Sequence, residues 1–333
     1  MSQRFLILLI AVALAIGVSS CGDSNDRTPS MAAQKTSAPP GAVPSKPASK
    51  PIIALVMKTL TNPFFIDMEK GARRAERELG VQLQVKTAAQ ETSIEQQIQI
   101  VEELIEAKVN AIVIAPGDSM DLIPVLKKAQ DAGIRVINID NRLDPVYSAR
   151  LGLGPIPFIS VDNEQGAYKA AKAISERIER PTQAAIVEGI RGAANAEARK
   201  QGALRAFAEN PAIRVVASET ANWKIDESYQ VAEKLFNAHP DIGAIFCAND
   251  MMALGALKYL EVSGKSQVLV AGFDALEQAK AAIRAGKLTA SIDQQAAQQG
   301  YLGVQYAVRA LAGETLPAET LIDTALVTAE TLR

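Results

Sequence analysis

Five polar side chains stand where buried, apolar runs end: Lys58 after Ile52–Met57, Asp140 and Asn141 after Arg135–Ile139, Asn249 after Ala244–Ala248, and Asp274 closing Val268–Phe273. Asn62, Phe64 and Phe65 follow Lys58 in the same turn. Ionised carboxylates accept hydrogen bonds, amides donate and accept, and lysine donates, so together they can satisfy the vicinal hydroxyls of a sugar or polyol. Each charge-assisted bond contributes about 1.5–3 kcal/mol and a missing partner costs about as much. That asymmetry separates stereoisomers. Phe64, Phe65 and the single tryptophan, Trp223, supply faces for the C–H side of a ring. Packing of the first helix is the alternative role for the two phenylalanines, whereas Trp223 among polar loop residues is poorly placed for a core. Asp140, Asn249 and Asp274 also suit helix N-caps, but three at equivalent strand ends favour a binding site.

Other chemistries lack their groups. The one histidine, His239, sits beside Pro240 in a turn, which leaves no Ser-His-Asp or Cys-His set and no multi-histidine zinc site. No catalytic residue and no metal are expected. Of the two cysteines, Cys247 lies in an apolar run and reads as a small core residue. The turn after the first run lacks Gly-x-Gly-x-x-Gly, and Gly152-Leu-Gly-Pro155 does not open a helix, so no nucleotide cofactor is expected. With a formal net charge of −2 and no dense basic block, nucleic acid is not an expected partner. The charges from Glu69 to Glu78 read as a solvated helix face.

The elements behind these residues alternate. Apolar runs at 52–57, 81–85, 111–115, 135–140, 184–188, 215–218, 244–248 and 268–274 are separated by helix-length segments, the pattern of βαβ units and parallel sheets. Gly80, Gly133 and Gly264 stand where helix C-caps are wanted. An α/β fold of two Rossmann-like lobes follows, with ligand expected beyond the strands' carboxyl ends. The lobes are expected over 51–161 plus 295–323 and over 162–294 plus 324–333, with late runs at Leu288–Ile292 and Thr320–Val327 completing a hinge of three crossings.

Ahead of the fold, Arg4, the apolar stretch Phe5–Val18 and Ser19-Ser20-Cys21 read as a lipoprotein signal peptide over residues 1–20, with Cys21 as the acylated mature N-terminus. Its apolar core is too short to span a bilayer about 30 Å thick. Residues 21–50, rich in Ser, Pro, Ala and Lys, read as a disordered tether.

In combination, Ala54–Phe65, Val161-Asp-Asn163, Glu197-Ala-Arg199, Ala221-Asn-Trp223, Cys247–Met251 with Ala253-Leu-Gly255, Val270–Asp274 and Ile292-Asp-Gln294 resemble the ribose- and allose-binding branch of the bacterial periplasmic binding proteins that feed ABC transporters. The resemblance implies a type I periplasmic binding fold with a three-strand hinge. It also implies a sugar held by Lys58, Asn62, Phe64, Phe65, Asp140, Asn141, Glu197, Trp223, Asn249, Asp274 and Gln294. An exported, lipid-anchored, non-enzymatic protein without cofactor would present that ligand to an ABC permease, or to a chemoreceptor. The ribose type has serine at the position of Lys58 and arginines at those of Asn141 and Glu197, so the allose type is the nearer match. Arg142 stands as either a replacement guanidinium or an exposed loop residue, and Asn195 as either a ligand contact or, by preference, a cap for the helix that carries Glu197 and Arg199.

Overall fold

A computed structural model describes residues 50–333. The signal peptide, Cys21 and all of the expected tether but Lys50 lie outside the described residues. The chain opens with β1 (Ile52–Met57), α1 (Pro63–Leu79), β2 (Gln82–Thr87), α2 (Ile94–Glu106), β3 (Ala111–Ile114), α3 (Ile123–Asp131), β4 (Arg135–Ile139), α4 (Pro145–Arg150) and β5 (Phe158–Val161). There follow α5 (Asn163–Ser175), β6 (Thr182–Glu188), α6 (Ala194–Ala208), β7 (Ile213–Thr220), α7 (Ile225–Ala238), β8 (Ile242–Cys247), α8 (Asp250–Val262), β9 (Leu269–Ala271), α9 (Glu277–Arg284) and β10 (Ser291–Asp293). The chain closes with α10 (Ala296–Leu311), β11 (Glu319–Ile322) and β12 (Ala325–Val327).

One sheet has the order β11-β5-β4-β3-β1-β2 and the other β7-β6-β8-β9, and both are parallel throughout. Strands buried on both faces need apolar residues of both parities. Ile53, Leu55 and Met57 of β1 pack with α1 and α10, while Ala54 and Val56 pack with α2 and α3. The α1–α10 contact depends on glycine, since a Cβ at Gly71 would stand 1.7 Å from the Ala297 carbonyl oxygen. Gly80, Gly133 and Gly264 adopt the left-handed conformation expected of C-caps.

The apolar run at Thr320–Val327 is two strands. β11 joins β5 in the first sheet, and β12 pairs antiparallel with β10, which bridges to Ala271 beside the second sheet. The break at Asp323-Thr324 is a crossing, so a continuous strand there is impossible. Two further crossings fall between β5 and α5 and between β10 and α10. The segment after Leu143 contains α4, opened by Pro145 and capped by Asp144.

Candidate functional site

All strands of each sheet run the same way, so their carboxyl ends converge. Nine of the eleven expected residues line one small cavity there: Lys58, Asn62, Phe64, Phe65, Asp140, Trp223, Asn249, Asp274 and Gln294. Glu91, Asn195 and Arg199 complete its wall. The enclosed volume is about 20 Å³, the scale of a single water.

In the first lobe, Asn62 caps α1 by accepting from the Phe64 N–H at 3.0 Å, and Pro63 supplies a preset φ at the first helical position. Its side-chain amide is left free to donate to Glu91 at 3.0 Å. Phe64 and Phe65 meet edge to face with centroids 5.0 Å apart. Lys58, 2% exposed, holds Nζ 2.8 Å from Asp140 Oδ2 and 5.7 Å from the Phe65 ring centre. The approach is off axis, and that carboxylate oxygen accepts no aligned hydrogen bond. Asp140 caps no helix. It occupies a left-handed conformation, φ 64°, one of the few non-glycine types that tolerates it.

In the second lobe the hub is Arg199. Its guanidinium donates to Asn163 Oδ1 at 2.8 Å, to the Ala248 carbonyl at 2.9 Å and to Gln294 Oε1 at 3.3 Å, and lies 3.8 Å from the Phe273 ring centre. Gln294 in turn donates to Asp274 at 2.6 Å. Asn249 caps α8 through its oxygen, accepting from Met252 N–H at 2.8 Å, while its Nδ2 faces the Trp223 carbonyl at 3.5 Å. Capping and cavity lining are thus compatible in one amide. Trp223 packs where a Cβ on Gly189 would stand 2.1 Å from its ring, and its indole N–H is buried without a partner.

Two expected residues stand elsewhere. Glu197 is exposed and pairs with Lys200 and Gln201 on the outer side of α6. At about 100° per residue, Asn195 and Arg199 share a helix face and Glu197 lies roughly opposite. The i, i+4 spacing of Asn195 and Arg199 was the available signal. Asn195 is not the cap of α6, a position held by Ala193; its Nδ2 lies 3.4 Å from Asp140 and its Oδ1 is buried without a partner. Asn141, fully buried, is taken up by the Pro116 carbonyl and Ser119. Arg142 stacks on Phe158 at 4.3 Å and pairs with Glu319, away from the cavity. Glu91 follows β2 with no apolar run pointing to it; part of its stem is exposed, while its carboxylate turns inward to Asn62.

Burial dominates the electrostatics. It pushes the carboxyl groups of Glu91 and Asp274 above their ordinary range, opposed by Lys58 and Arg199 respectively, and it lowers the Arg199 guanidinium. Behind the cavity, burial raises Asp250 to about 7, against the hydrogen bond from Ser291. A carboxyl raised on folding keeps its proton in the native protein while the unfolded chain loses it, so its contribution to stability is present below the ordinary value near 4 and is lost as pH rises through about 7. The thermal midpoint of the sugar-free protein is expected to carry a downward component between about pH 4 and about pH 7. Asp250→Asn, which keeps the hydrogen bond from Leu276 N–H, should flatten it; an unchanged slope in that variant would assign the component to other groups.

A larger groove of about 740 Å³ opens near the amino-terminal ends of β4 and β5, lined chiefly by apolar residues such as Ile134, Leu153 and Leu316. Two of its polar side chains are already engaged, Asn138 with Asn141 and Leu143 and Arg142 with Glu319. Convergent, incompletely paired charge singles out the smaller cavity instead. Among the described residues no cluster of side chains suits a metal, and no helix is long and apolar enough to cross a membrane.

A family model described as a periplasmic binding protein domain matches residues 53–315. The chain is similar to the D-ribose/D-allose-binding protein of Pseudomonas aeruginosa, at 39% identity over 280 residues that cover 83% of this chain and 87% of that protein. It is similar also to the D-allose-binding periplasmic protein of Escherichia coli, at 34% over 283 residues, covering 83% and 91%. Among solved structures, a periplasmic solute-binding protein of an ABC transporter from Actinobacillus succinogenes 130z with bound D-allose matches with a TM-score of 0.80 and 39% identity, covering 85% of this chain and 99% of that one.

Proposed function

Because this chain belongs to the periplasmic binding protein domain family, we propose that it captures a neutral monosaccharide of the ribose or allose kind, or a related polyol, and delivers it to an ABC permease. The relatives are named as sugar-binding proteins, that of Salmonella typhimurium as a ribose import binding protein, and none of the three as an enzyme. The observation that carries the reading is one buried cluster, Lys58 with Asp140 from one lobe and Arg199 with Asp274 and Gln294 from the other, flanked by Phe64, Phe65 and Trp223. Hydroxyls bonded from both lobes at once bias the protein toward closure, since only the closed arrangement satisfies both sets. Lysine at position 58 favours a hexose of the allose type over ribose.

Titration calorimetry of the purified protein with D-allose, D-ribose and cyclic polyols tests this. Heat of binding is expected, with a stabilisation of about 2.7 kcal/mol at a hundredfold excess over Kd. Absence of heat and of thermal shift from every compound would remove the reading. A lipid on Cys21 anchors the protein to the membrane in this account, supported by the lipobox at Ser19-Ser20-Cys21. Cys21→Ser is expected to move the protein from the membrane fraction to the soluble one, and continued membrane association would refute the anchor.

A further inference from the structure

Helix α6 carries two cavity residues, Asn195 and Arg199, yet begins without a cap of its own. The position before it is Ala193, which has no side-chain acceptor, so the first N–H groups need partners from elsewhere. Those partners come from the opposite lobe. The Ala194 N–H donates to Ser119 Oγ at 2.9 Å, and the Asn195 N–H donates to Asn141 Oδ1 at 3.1 Å. Ser119 is itself bound across the cleft, its N–H donating to the Gly192 carbonyl at 3.0 Å. Asn141 Nδ2 steadies the pair by donating to Ser119 Oγ at 3.3 Å. The approach is close enough that a Cβ on Gly192 would stand 2.0 Å from Asp118 Oδ2. Asp118 accepts from the N–H groups of Met120 and Asp121, which holds its loop in shape.

We propose that the first lobe caps helix α6 across the cleft, with Ser119 and Asn141 as positioning residues whose hydrogen bonds form only on closure and set its free energy without touching the ligand. The inference rests on the sugar-binding reading for its consequence, because the cap adds to the affinity for any sugar that closes the lobes. When the lobes part, the two N–H groups return to water and the helix loses its capping interactions. Affinity should therefore depend on Ser119 and Asn141, whereas the choice among sugars should not. An acceptor placed at position 193 would cap the helix in the open protein too and remove the advantage of closure.

The experiment uses the full chain, with D-allose and D-ribose as probes, and reads amide hydrogen exchange on the sugar-saturated protein, in which the lobes are closed. Ser119→Ala and Asn141→Ala are each expected to weaken both sugars about fivefold, the ordinary size of one capping interaction, with the ratio between the sugars retained. The Ala194 amide should exchange faster in Ser119→Ala, and the Asn195 amide in Asn141→Ala. Ala193→Ser is expected to weaken both sugars while raising the thermal midpoint of the sugar-free protein, a pair of opposite signs that general damage to the fold would not give. Unchanged affinity in the two alanine variants, an altered ratio, or tighter or unchanged binding in Ala193→Ser would overturn the proposal. If the unmodified protein binds neither sugar, the functional reading fails. The cap is then judged on the sugar-free thermal midpoint of Ala193→Ser, where a rise supports an uncapped helix in the open protein and no change or a fall overturns it.

Discussion

Arg199→Ala is expected to abolish measurable binding of D-allose and D-ribose and to lower the thermal midpoint by about 10 °C. The guanidinium is 2% exposed and serves three acceptors, on Asn163, Ala248 and Gln294, while its charge lies 3.7 Å from Asp274. Removing one partner of a buried ion pair costs about 3–5 kcal/mol, and in a chain of this size each kcal/mol moves the midpoint by about 2–4 °C. Asp274, already raised by burial, loses the charge that opposes that shift. Arg199→Lys should not restore binding, because an ammonium cannot reach three acceptors in one plane. Glu197→Ala, two residues away and exposed, should change stability by no more than about 0.5 kcal/mol and leave affinity as it was. Calorimetric titration and thermal melts of the three variants decide the matter. Binding by Arg199→Ala within tenfold of the unmodified protein would show that the second lobe holds its ligand by other groups.

The second large effect concerns the pair beneath the other lobe. Asp140→Asn is expected to weaken sugar binding about a hundredfold, by replacing the charge-assisted acceptor with a neutral amide at a position where two such bonds are worth about 3 kcal/mol or more. Asparagine is the informative replacement because it tolerates the left-handed backbone at φ 64°, whereas alanine there adds about 1–2 kcal/mol of strain. The same change leaves Lys58 buried without its counter-charge and so destabilises the fold. Adding Lys58→Met to Asp140→Asn should return much of the lost stability, since an apolar side chain carries no desolvation cost, and should return none of the affinity. Denaturant unfolding and calorimetry on the single and double variants separate the two effects. Recovery of binding in the double variant would mean that the pair is structural alone.

Both predictions bear on residues that were not equally legible. Lys58, Asp140, Asn249 and Asp274 each follow an apolar run, and a polar residue at the same end of several parallel strands buried on both faces marks the rim of the sheets. Gln294 and Trp223 came through the resemblance and through the position of a lone aromatic among polar neighbours. Arg199 and Asn195 were harder, because they lie on a helix. Near α6 the motif draws the eye to Glu197, but helical phase turns that side chain outward and brings Asn195 and Arg199 inward. Glu91 was illegible, since nothing local marks a residue in the loop after β2 as facing Asn62, 29 positions earlier.

By itself the sequence determined the alternation of strands and helices, the parallel α/β class, the carboxyl-end location of the polar groups and the absence of histidine- or cysteine-based chemistry. These follow from local periodicity and from residue type, which every segment carries regardless of its neighbours. Only the tertiary structure decided that Asn141 binds Ser119 beside it and Asn195 across the cleft, that the segment at Thr320–Val327 divides between two sheets, and that Ala193 leaves α6 to be capped by the other lobe. Each of those outcomes depends on which hydrogen-bonding group stands opposite another once the lobes are packed, and that pairing is a property of the assembled chain.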